Sequence, residues 1–256
     1  MDKQTPWLVL DIGNTHTVAG VYDSGGFIHR ARFRTEADLT ADEYRVKLTL
    51  HLADFSLSSL KRVIVSSVVP ALEETLHSAC RNQSLLFVDT ETPRDFTLDL
   101  PFPTQLGADR LANVAGAMTL VEPPFLIIDA GTATTFCMVN RQASYVGGAI
   151  APGLELSWKA LSARAAKLFS VELHHPPSVL GNTTETQIQS GVLEGYECLI
   201  EGMTDRLLGA TDPRFQGATL FATGGCMNLL RLSSRFRIEP DLTLLGLIRY
   251  GQKTQT

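Results

Sequence analysis

The pattern of apolar and polar residues in the first half of the chain predicts strands separated by tight turns. Segments at 8–10, 16–22 and 27–33 are joined by an Asp-x-Gly turn and by Asp23-Ser-Gly-Gly26, which is typical of a hairpin. The β-branched run at 63–69 and the segment 85–88 predict two more strands. Thr40-Ala-Asp-Glu43 has the capping-box pattern and predicts a helix with Tyr44, Leu48 and Leu52 on one face.

The second half of the chain repeats this order. Leu8-Val-Leu-Asp-Ile-Gly-Asn-Thr-His-Thr-Val18 aligns without a gap with Leu126-Ile-Ile-Asp-Ala-Gly-Thr-Ala-Thr-Thr-Phe136. A third strand is expected near 145–150, helices are expected over 153–168 and 184–209, and the strand at 219–225 corresponds to the one at 63–69. Tandem β-β-β-α-β-α units therefore predict an α/β protein with two similar lobes that face each other across a cleft.

The boundary between the lobes is predicted near Leu120-Val-Glu-Pro-Pro124, where consecutive prolines interrupt a helix. We accordingly expect an N-terminal lobe at 1–120 and a C-terminal lobe at 121–256, with the last helix able to pack back on the first lobe.

Composition narrows the class of protein. Hydrophobic residues make up 44% and charged residues 19%, as in an ordinary globular protein. The net charge of −5 argues against bulk attraction to nucleic acid or to an anionic membrane. The first residues contain no apolar signal core, so a cytoplasmic location is expected. The four cysteines form no C-x-x-C pair and are expected to be small buried hydrophobes.

The two Asp-x-Gly turns, at Asp11 and Asp129, are the first candidate for chemistry. The chain has neither a G-x-x-x-x-G-K-[ST] loop nor a Gly-x-Gly sequence, so phosphate must be held in another way. Glycine after a strand lets backbone N–H groups approach a phosphate, and a cation must stand between that phosphate and each carboxylate. One such turn is common in loops, but two after matched strands favour phosphate handling. Hydroxyl donors follow both turns, at Thr15, Thr17, Thr132, Thr134 and Thr135.

Gly107-Ala-Asp-Arg110 is the second candidate, because it precedes an apolar helix predicted at 111–118. Asp109 would lie at or near the helix N-terminus, where a plain helix cap is the simplest interpretation and where the helix dipole would lower its pKa. Phosphoryl transfer, however, needs mainly a positioned acceptor for the hydroxyl proton, which a carboxylate provides. Arg110 suits a substrate carboxylate through paired hydrogen bonds.

Three other polar segments have simpler interpretations. The segment at 147–153 predicts a tight turn from strand to helix, and Gly181-Asn-Thr-Thr184 predicts a capped helix start. His174 and His175 lack metal-ligand spacing and are interpreted as loop residues.

Together these segments resemble the type III pantothenate kinases, which belong to the superfamily of acetate and sugar kinases, heat-shock chaperones and actin. The resemblance covers almost the whole chain in order. Its most specific part is the succession of three motifs, namely Asp11-Ile-Gly-Asn-Thr15, Gly107-Ala-Asp-Arg110 and Asp129-Ala-Gly-Thr-Ala133. Further matching blocks are Ser66-Ser-Val-Val-Pro70, the glycine-rich segment at 147–153, Thr184 with Ser190-Gly191, Thr223-Gly-Gly225 and Pro240-Asp-Leu-Thr-Leu244.

The resemblance implies two tandem ribonuclease-H-like (actin-like ATPase) lobes with mixed sheets around a central cleft. It also implies ATP-dependent phosphorylation of pantothenate, the first step towards coenzyme A, by a homodimer. Asp109 would accept the proton, Asp11 would organise Mg²⁺ through water, and Asp129 would bind a monovalent cation, K⁺ or NH₄⁺. The implied pantothenate-binding residues are Gly107, Ala108, Asp109, Arg110 and Thr184. The implied ATP-binding residues are Asp11, Ile12, Gly13, Asn14, Thr15, His16, Thr17, Val18 and Thr132.

The chain departs from the family pattern near these motifs. Asparagine is usual at His16, tyrosine is common at Asp99, and glutamate is usual near Leu245. The family often has Asn-Pro-x-Glu where this chain has Phe102-Pro-Thr-Gln105. Two alternatives therefore stay open, a phosphohydrolase of the same superfamily and a non-enzymatic regulatory homologue. Gly107-Ala-Asp-Arg110 argues against the hydrolase.

Overall fold

The fold is described from a computed structural model, which describes residues 6–53, 55–164, 171–209 and 213–254. Among these residues no helix combines the length and apolar character that crossing a bilayer requires. Residues 165–168 of the helix predicted at 153–168 lie outside the described residues.

The first sheet has five strands in the order β3-β2-β1-β4-β5. These strands are β1 Trp7–Ile12, β2 His16–Asp23, β3 Gly26–Arg34, β4 Arg62–Ser67 and β5 Ser84–Phe87. The first three strands pair antiparallel, whereas β4 runs parallel to β1 and to β5. The central strands β1 and β4 are buried on both faces, which explains their nearly continuous apolar sequences.

The second sheet has the order β11-β10-β7-β8-β9-β6. Its strands are β6 Thr97–Leu98, β7 Phe125–Ala130, β8 Ala133–Val139, β9 Ser144–Pro152, β10 Thr219–Thr223 and β11 Phe236–Ile238. Strands β7, β8 and β9 pair antiparallel, and β10 runs parallel to β7 and β11. Apart from the short edge strand β6, this topology is that of the first sheet, which confirms the internal repeat and the α/β class.

In the described part of the chain, six α-helices accompany the strands. They are α1 Ala41–His51, α2 Glu73–Ala79, α3 Ala108–Ala117, α4 Leu154–Arg164, α5 Thr184–Leu208 and α6 Leu242–Lys253. The predicted capping box opens α1, where Thr40 caps and Glu43 closes the box. The capped start predicted at 181–184 is also a capping box, in which Thr183 caps α5 and Thr186 closes the box. Each hydroxyl accepts a backbone N–H that the first helical turn cannot satisfy.

Residue contacts divide the chain into two compact units. The first contains residues up to Thr97, Pro101–Leu120 and Asp241–Thr256, and the second contains Leu98–Leu100 and Val121–Pro240. Each unit has its own core, built by the apolar face of its sheet and its flanking helices. In the first unit α6 packs along α3, where the Thr243 hydroxyl donates to Asn113 Oδ1 over 2.7 Å. This contact fixes the helix that carries Asp109.

The structure corrects two details predicted from the sequence. Strand register places Asp11 opposite Val18 but Asp129 opposite Thr135, so the second turn is one residue shorter and the gapless alignment fails after the turn. Sequence identity alone could not reveal this, because several threonines follow each turn. Cys198 is exposed rather than buried, because it lies on the outer face of α5 between the buried Glu197 and Ile200.

Candidate active site

The turn after Asp11 lies at the C-terminal end of β1 in the first unit. The Gly13 N–H donates to the His16 carbonyl over 3.0 Å, which closes the turn between β1 and β2. The Val68 N–H donates to the Ile12 carbonyl over 3.0 Å, so the segment after β4 is held beside this turn. The half-buried Asp11 therefore stands at the carboxyl edge of two parallel central strands, the usual location of ligand sites in α/β sheets.

The Gly107–Arg110 segment reaches the same edge of the first unit. Gly107 is the N-cap of α3, and a Cβ built there would lie 3.8 Å from Val68 Cγ1 and only 2.5 Å from Asp109 Oδ1. Glycine is therefore required at this position for the carboxyl group to keep its place. Val68 is hydrogen-bonded to the Asp11 turn and lies beside Gly107, so the structure brings Asp11 and Asp109 to the same end of one sheet.

Asp109 lies near the N-terminus of α3, as predicted, but the pKa of its carboxyl group differs from the prediction. Asp109 is the second residue of α3 rather than its cap, and its Oδ1 accepts the Arg110 N–H over 2.8 Å. Burial of the carboxyl group raises the pKa of Asp109 above its ordinary value, although that N–H and the Arg110 guanidinium act in the opposite direction. The prediction of a lowered pKa is wrong because desolvation outweighs the helix N-terminus. A raised pKa makes this carboxylate a better proton acceptor.

His16, the unusual residue of the first turn, contacts a basic side chain of β3. Arg32 Nη2 lies 3.3 Å from His16 Nδ1. A guanidinium group only donates hydrogen bonds, so Nδ1 accepts and the ring proton is assigned to Nε2.

The turn after Asp129 in the second unit has matching hydrogen bonds. The Gly131 N–H donates to the Ala133 carbonyl over 3.1 Å, and the Cys226 N–H donates to the Ala130 carbonyl over 3.3 Å. The Gly153 N–H donates to the Thr132 carbonyl over 3.1 Å, which joins the glycine-rich segment to the turn. Gly224 has φ +104°, and a Cβ there would lie 2.6 Å from the Ala130 backbone, so only glycine allows this close approach.

A buried chain of hydrogen bonds fixes the Asp129 turn to the helices of the second unit. The Thr134 hydroxyl donates to the Pro152 carbonyl over 3.2 Å and lies 2.6 Å from the Tyr196 hydroxyl on α5. Tyr196 must therefore donate to Thr134. Burial raises the pKa of Tyr196 to about 12, so the phenol stays protonated and the chain keeps this direction.

Both aspartates offer surroundings that suit hard cations. Asp11 provides a half-buried carboxylate, and Thr15 follows in the same loop, which fits Mg²⁺ and its bound waters. Asp129 is flanked in register by Thr135 on β8 and Thr223 on β10. Thr135 Oγ1 is buried without a hydrogen-bond partner. All the donors named here are oxygen atoms. Monovalent cations such as K⁺ bind oxygen, so this set of donors fits a monovalent cation at Asp129.

Thr184 and the histidine loop belong to the second unit, whereas Asp109 belongs to the first. Thr184 is the first residue of α5 and its side chain is exposed. His175 lies in a loop, as predicted, and its ring lies within 4.8 Å of the carboxylates of Glu194 and Glu197. Hydrogen bonds account for this cluster, because Nδ1 lies 3.2 Å from Glu194 and Nε2 donates to the Leu229 carbonyl over 3.0 Å.

Sequence reasoning assigned no role to the hydroxyl residues that neighbour the two aspartates across the parallel strands. Ser66 pairs with Asp11, and Thr223 pairs with Asp129. Both lie in segments that match the family, but their proximity to the aspartates depends on strand register. The signal in the sequence that could have identified Ser66 and Thr223 is that β4 and β10, in which they lie, are corresponding strands of the internal repeat.

Comparison with known proteins assigns the fold and the family. The family model described as type III pantothenate kinase matches residues 7–206. A type III pantothenate kinase of Geobacillus kaustophilus is 36% identical over 257 residues, covering 96% of this chain and 98% of the relative. A second, of Bacillus cytotoxicus, is 36% identical and covers 93% of both chains.

The chain belongs to the type III pantothenate kinase family. Its fold is similar to that of MreB5 of Spiroplasma citri bound to AMPPNP, with a TM-score of 0.56, 13% identity and coverage of 98% of this chain and 97% of MreB5. The two mixed sheets with equal strand order are therefore actin-like, as the resemblance implied. Family membership makes this chain a kinase and does not favour the hydrolase or the non-enzymatic alternative.

Proposed function

We propose that this chain transfers the γ-phosphoryl group of ATP to the primary hydroxyl of pantothenate, with Asp109 as the proton acceptor. The observation that carries the proposal is the half-buried Asp109, whose carboxyl pKa is raised by desolvation and which lies at the same sheet edge as the Asp11 turn. In a pantothenate kinase family member, these features are expected of a group that receives a proton from the acceptor alcohol.

In the proposed reaction the pantothenate hydroxyl oxygen forms a bond to the γ-phosphorus while the bond from that phosphorus to the bridging oxygen breaks. The hydroxyl proton passes to Asp109, and ADP leaves. Positioning and charge neutralisation supply most of the rate in phosphoryl transfer, since its transition state is loose. Mg²⁺, held near Asp11 through water, would neutralise charge on the β- and γ-phosphates.

The remaining residues have proposed binding roles. Arg110 pairs with the pantothenate carboxylate, and Thr184 contributes to the pantothenate pocket. The turn at 11–18 and Thr132 hold ATP, and Asp129 holds K⁺ or NH₄⁺. We also propose a homodimer that acts in the cytoplasm. The exposed apolar residues Val179 and Leu180, which precede Thr184, support an interface in this region of the second unit.

Complementation tests this proposal. The chain is expressed in a bacterial strain whose own pantothenate kinase is under conditional control, beside Asp109→Asn at equal protein level. Growth with the unaltered chain and no growth with Asp109→Asn is the expected result. Failure of the folded, unaltered chain to support growth would contradict the proposed activity. Growth supported by Asp109→Asn would contradict only the role of Asp109.

A further inference from the structure

Ser66 carries a buried hydroxyl group for which the structure gives no hydrogen-bond partner. It is 0% exposed, lies next to the C-terminal end of β4 and follows the apolar residues Val63, Ile64 and Val65. Buried hydroxyl groups almost always have a partner, and leaving one unsatisfied costs about 1–3 kcal/mol. Alanine would fill nearly the same space without this penalty, so the presence of serine needs an explanation.

The register of the first sheet places Ser66 beside Asp11. The parallel strands β1 and β4 pair Asp11 with Ser66, and neighbouring strands lie about 4.8 Å apart. Paired residues on adjacent strands project from the same face, so the hydroxyl and the carboxylate are neighbours on the face opposite Leu10 and Ile12, which point into the main core.

The same pairing recurs in the second unit. Asp129 on β7 pairs with Thr223 on the parallel strand β10, and Thr223 is 2% exposed. The two units share little sequence here apart from the turn itself, yet both place a hydroxyl residue next to the aspartate that follows the central strand. A hydroxyl beside this carboxylate is therefore a feature of the repeated unit and not an accident of one strand.

Solvent does not reach Ser66 Oγ, so a nucleotide would not touch it directly. Its effect must pass through a neighbour, and Asp11, its partner in strand register, carries a carboxylate acceptor. A carboxylate that binds metal-bound water works best when a second group holds its orientation, and loss of such a group typically weakens metal binding or activity about 10- to 100-fold.

We propose that Ser66 is a positioning residue, whose hydroxyl donates to the Asp11 carboxylate when Mg·ATP is bound and orients that carboxylate towards the hydrated Mg²⁺. The proposal rests on the proposed function, because it assigns Asp11 to Mg²⁺. It adds a residue from the neighbouring strand, and it explains why an unsatisfied hydroxyl is kept at this position.

The test compares Ser66→Ala with Ser67→Ala. Ser67 is the matched control, because it is the next serine of β4, lies on the other face, and its Oγ accepts the Val69 N–H over 3.1 Å. For Ser66→Ala we expect the Mg²⁺ concentration at half-maximal rate to rise about tenfold or more, with the KM for pantothenate unchanged. The Tm of the free protein should stay equal or rise, since an unsatisfied hydroxyl is removed. Ser67→Ala should lower the Tm and leave the Mg²⁺ requirement unchanged.

A second measurement does not depend on turnover. The rise in Tm caused by ATP at a fixed, limiting Mg²⁺ concentration should be smaller for Ser66→Ala than for the unaltered chain. Equal Mg²⁺ requirement and equal ATP-dependent Tm shift in both proteins would overturn the proposal. If the unaltered chain does not phosphorylate pantothenate, the proposed function fails, and the Tm comparison alone still decides the role of Ser66.

Discussion

Replacing Asp109 by Asn should abolish activity and at the same time stabilise the protein. Asparagine has nearly the same shape, and its Oδ1 still accepts the Arg110 N–H that is now bonded over 2.8 Å. The substitution therefore removes the proton acceptor with little change in geometry. General base catalysis contributes about 10²- to 10⁴-fold, and we expect kcat to fall by that factor while ATP still binds.

The effect on stability follows from the direction of the pKa shift. Burial raises the pKa of Asp109 in the folded state, so the ionised carboxylate opposes folding at neutral pH. This penalty is absent below the ordinary aspartate pKa of about 4, and it develops as the pH rises through the folded-state pKa. Asp109→Asn should therefore have a higher free energy of unfolding than the unaltered chain at pH 7, and the difference should shrink towards pH 4.

Asp42→Asn is the matched control for this experiment. Asp42 is also the second residue of a helix and also follows alanine, but its side chain is 88% exposed and pairs with Arg45 at 2.9 Å. Asparagine there should leave kcat unchanged and should not raise stability. Urea unfolding at pH 7 and pH 4, beside steady-state kinetics, measures both effects. An Asp109→Asn protein that is less stable than the unaltered chain at pH 7 would refute the claim that burial of the charged carboxylate opposes folding. An Asp109→Asn protein with undiminished kcat would refute the role of Asp109 as proton acceptor.

Three further predictions concern other parts of the chain. Lysine in Arg110→Lys cannot form the two parallel hydrogen bonds of a guanidinium, so the KM for pantothenate should rise about tenfold with kcat less affected. Initial-rate kinetics with varied pantothenate test this, and an unchanged KM would contradict it. Asp129→Ala should remove the stimulation by potassium, and a mutant that still responds to KCl, compared with a non-activating monovalent salt, would exclude this cation site. Thr40→Ala removes the cap of α1 and should lower the free energy of unfolding by about 1 kcal/mol with kcat unchanged, whereas an unaltered urea midpoint would show that the capping box contributes little.

Much of the fold could be predicted from sequence because local patterns and the repeat agree. The capping box at Thr40 depends on contacts three residues apart, and the internal repeat predicts that the two halves fold alike, which the matching strand orders bear out. The one-residue difference between the turns could not be predicted, because it is decided by the pairing of Asp129 with Thr135 across two strands.

Less of the site than of the fold could be predicted from the sequence. The motifs identified Asp11, Asp109 and Asp129, but the direction of the pKa shift at Asp109 depends on how deeply the carboxyl group is buried by residues distant in sequence. Ser66 was visible only as part of a matching segment. Its relation to Asp11 comes from strand register, and its missing hydrogen bond is a property of the packed core.

The central claim is most directly tested by identifying the product formed by the purified chain. The protein is incubated with ATP, pantothenate, Mg²⁺ and K⁺, and the products are analysed by mass spectrometry and ³¹P NMR. The account predicts a pantothenate derivative that has gained one phosphoryl group on its primary hydroxyl, formed in equal amount to ADP and absent with Asp109→Asn. Release of inorganic phosphate from ATP with no phosphorylated pantothenate would contradict it.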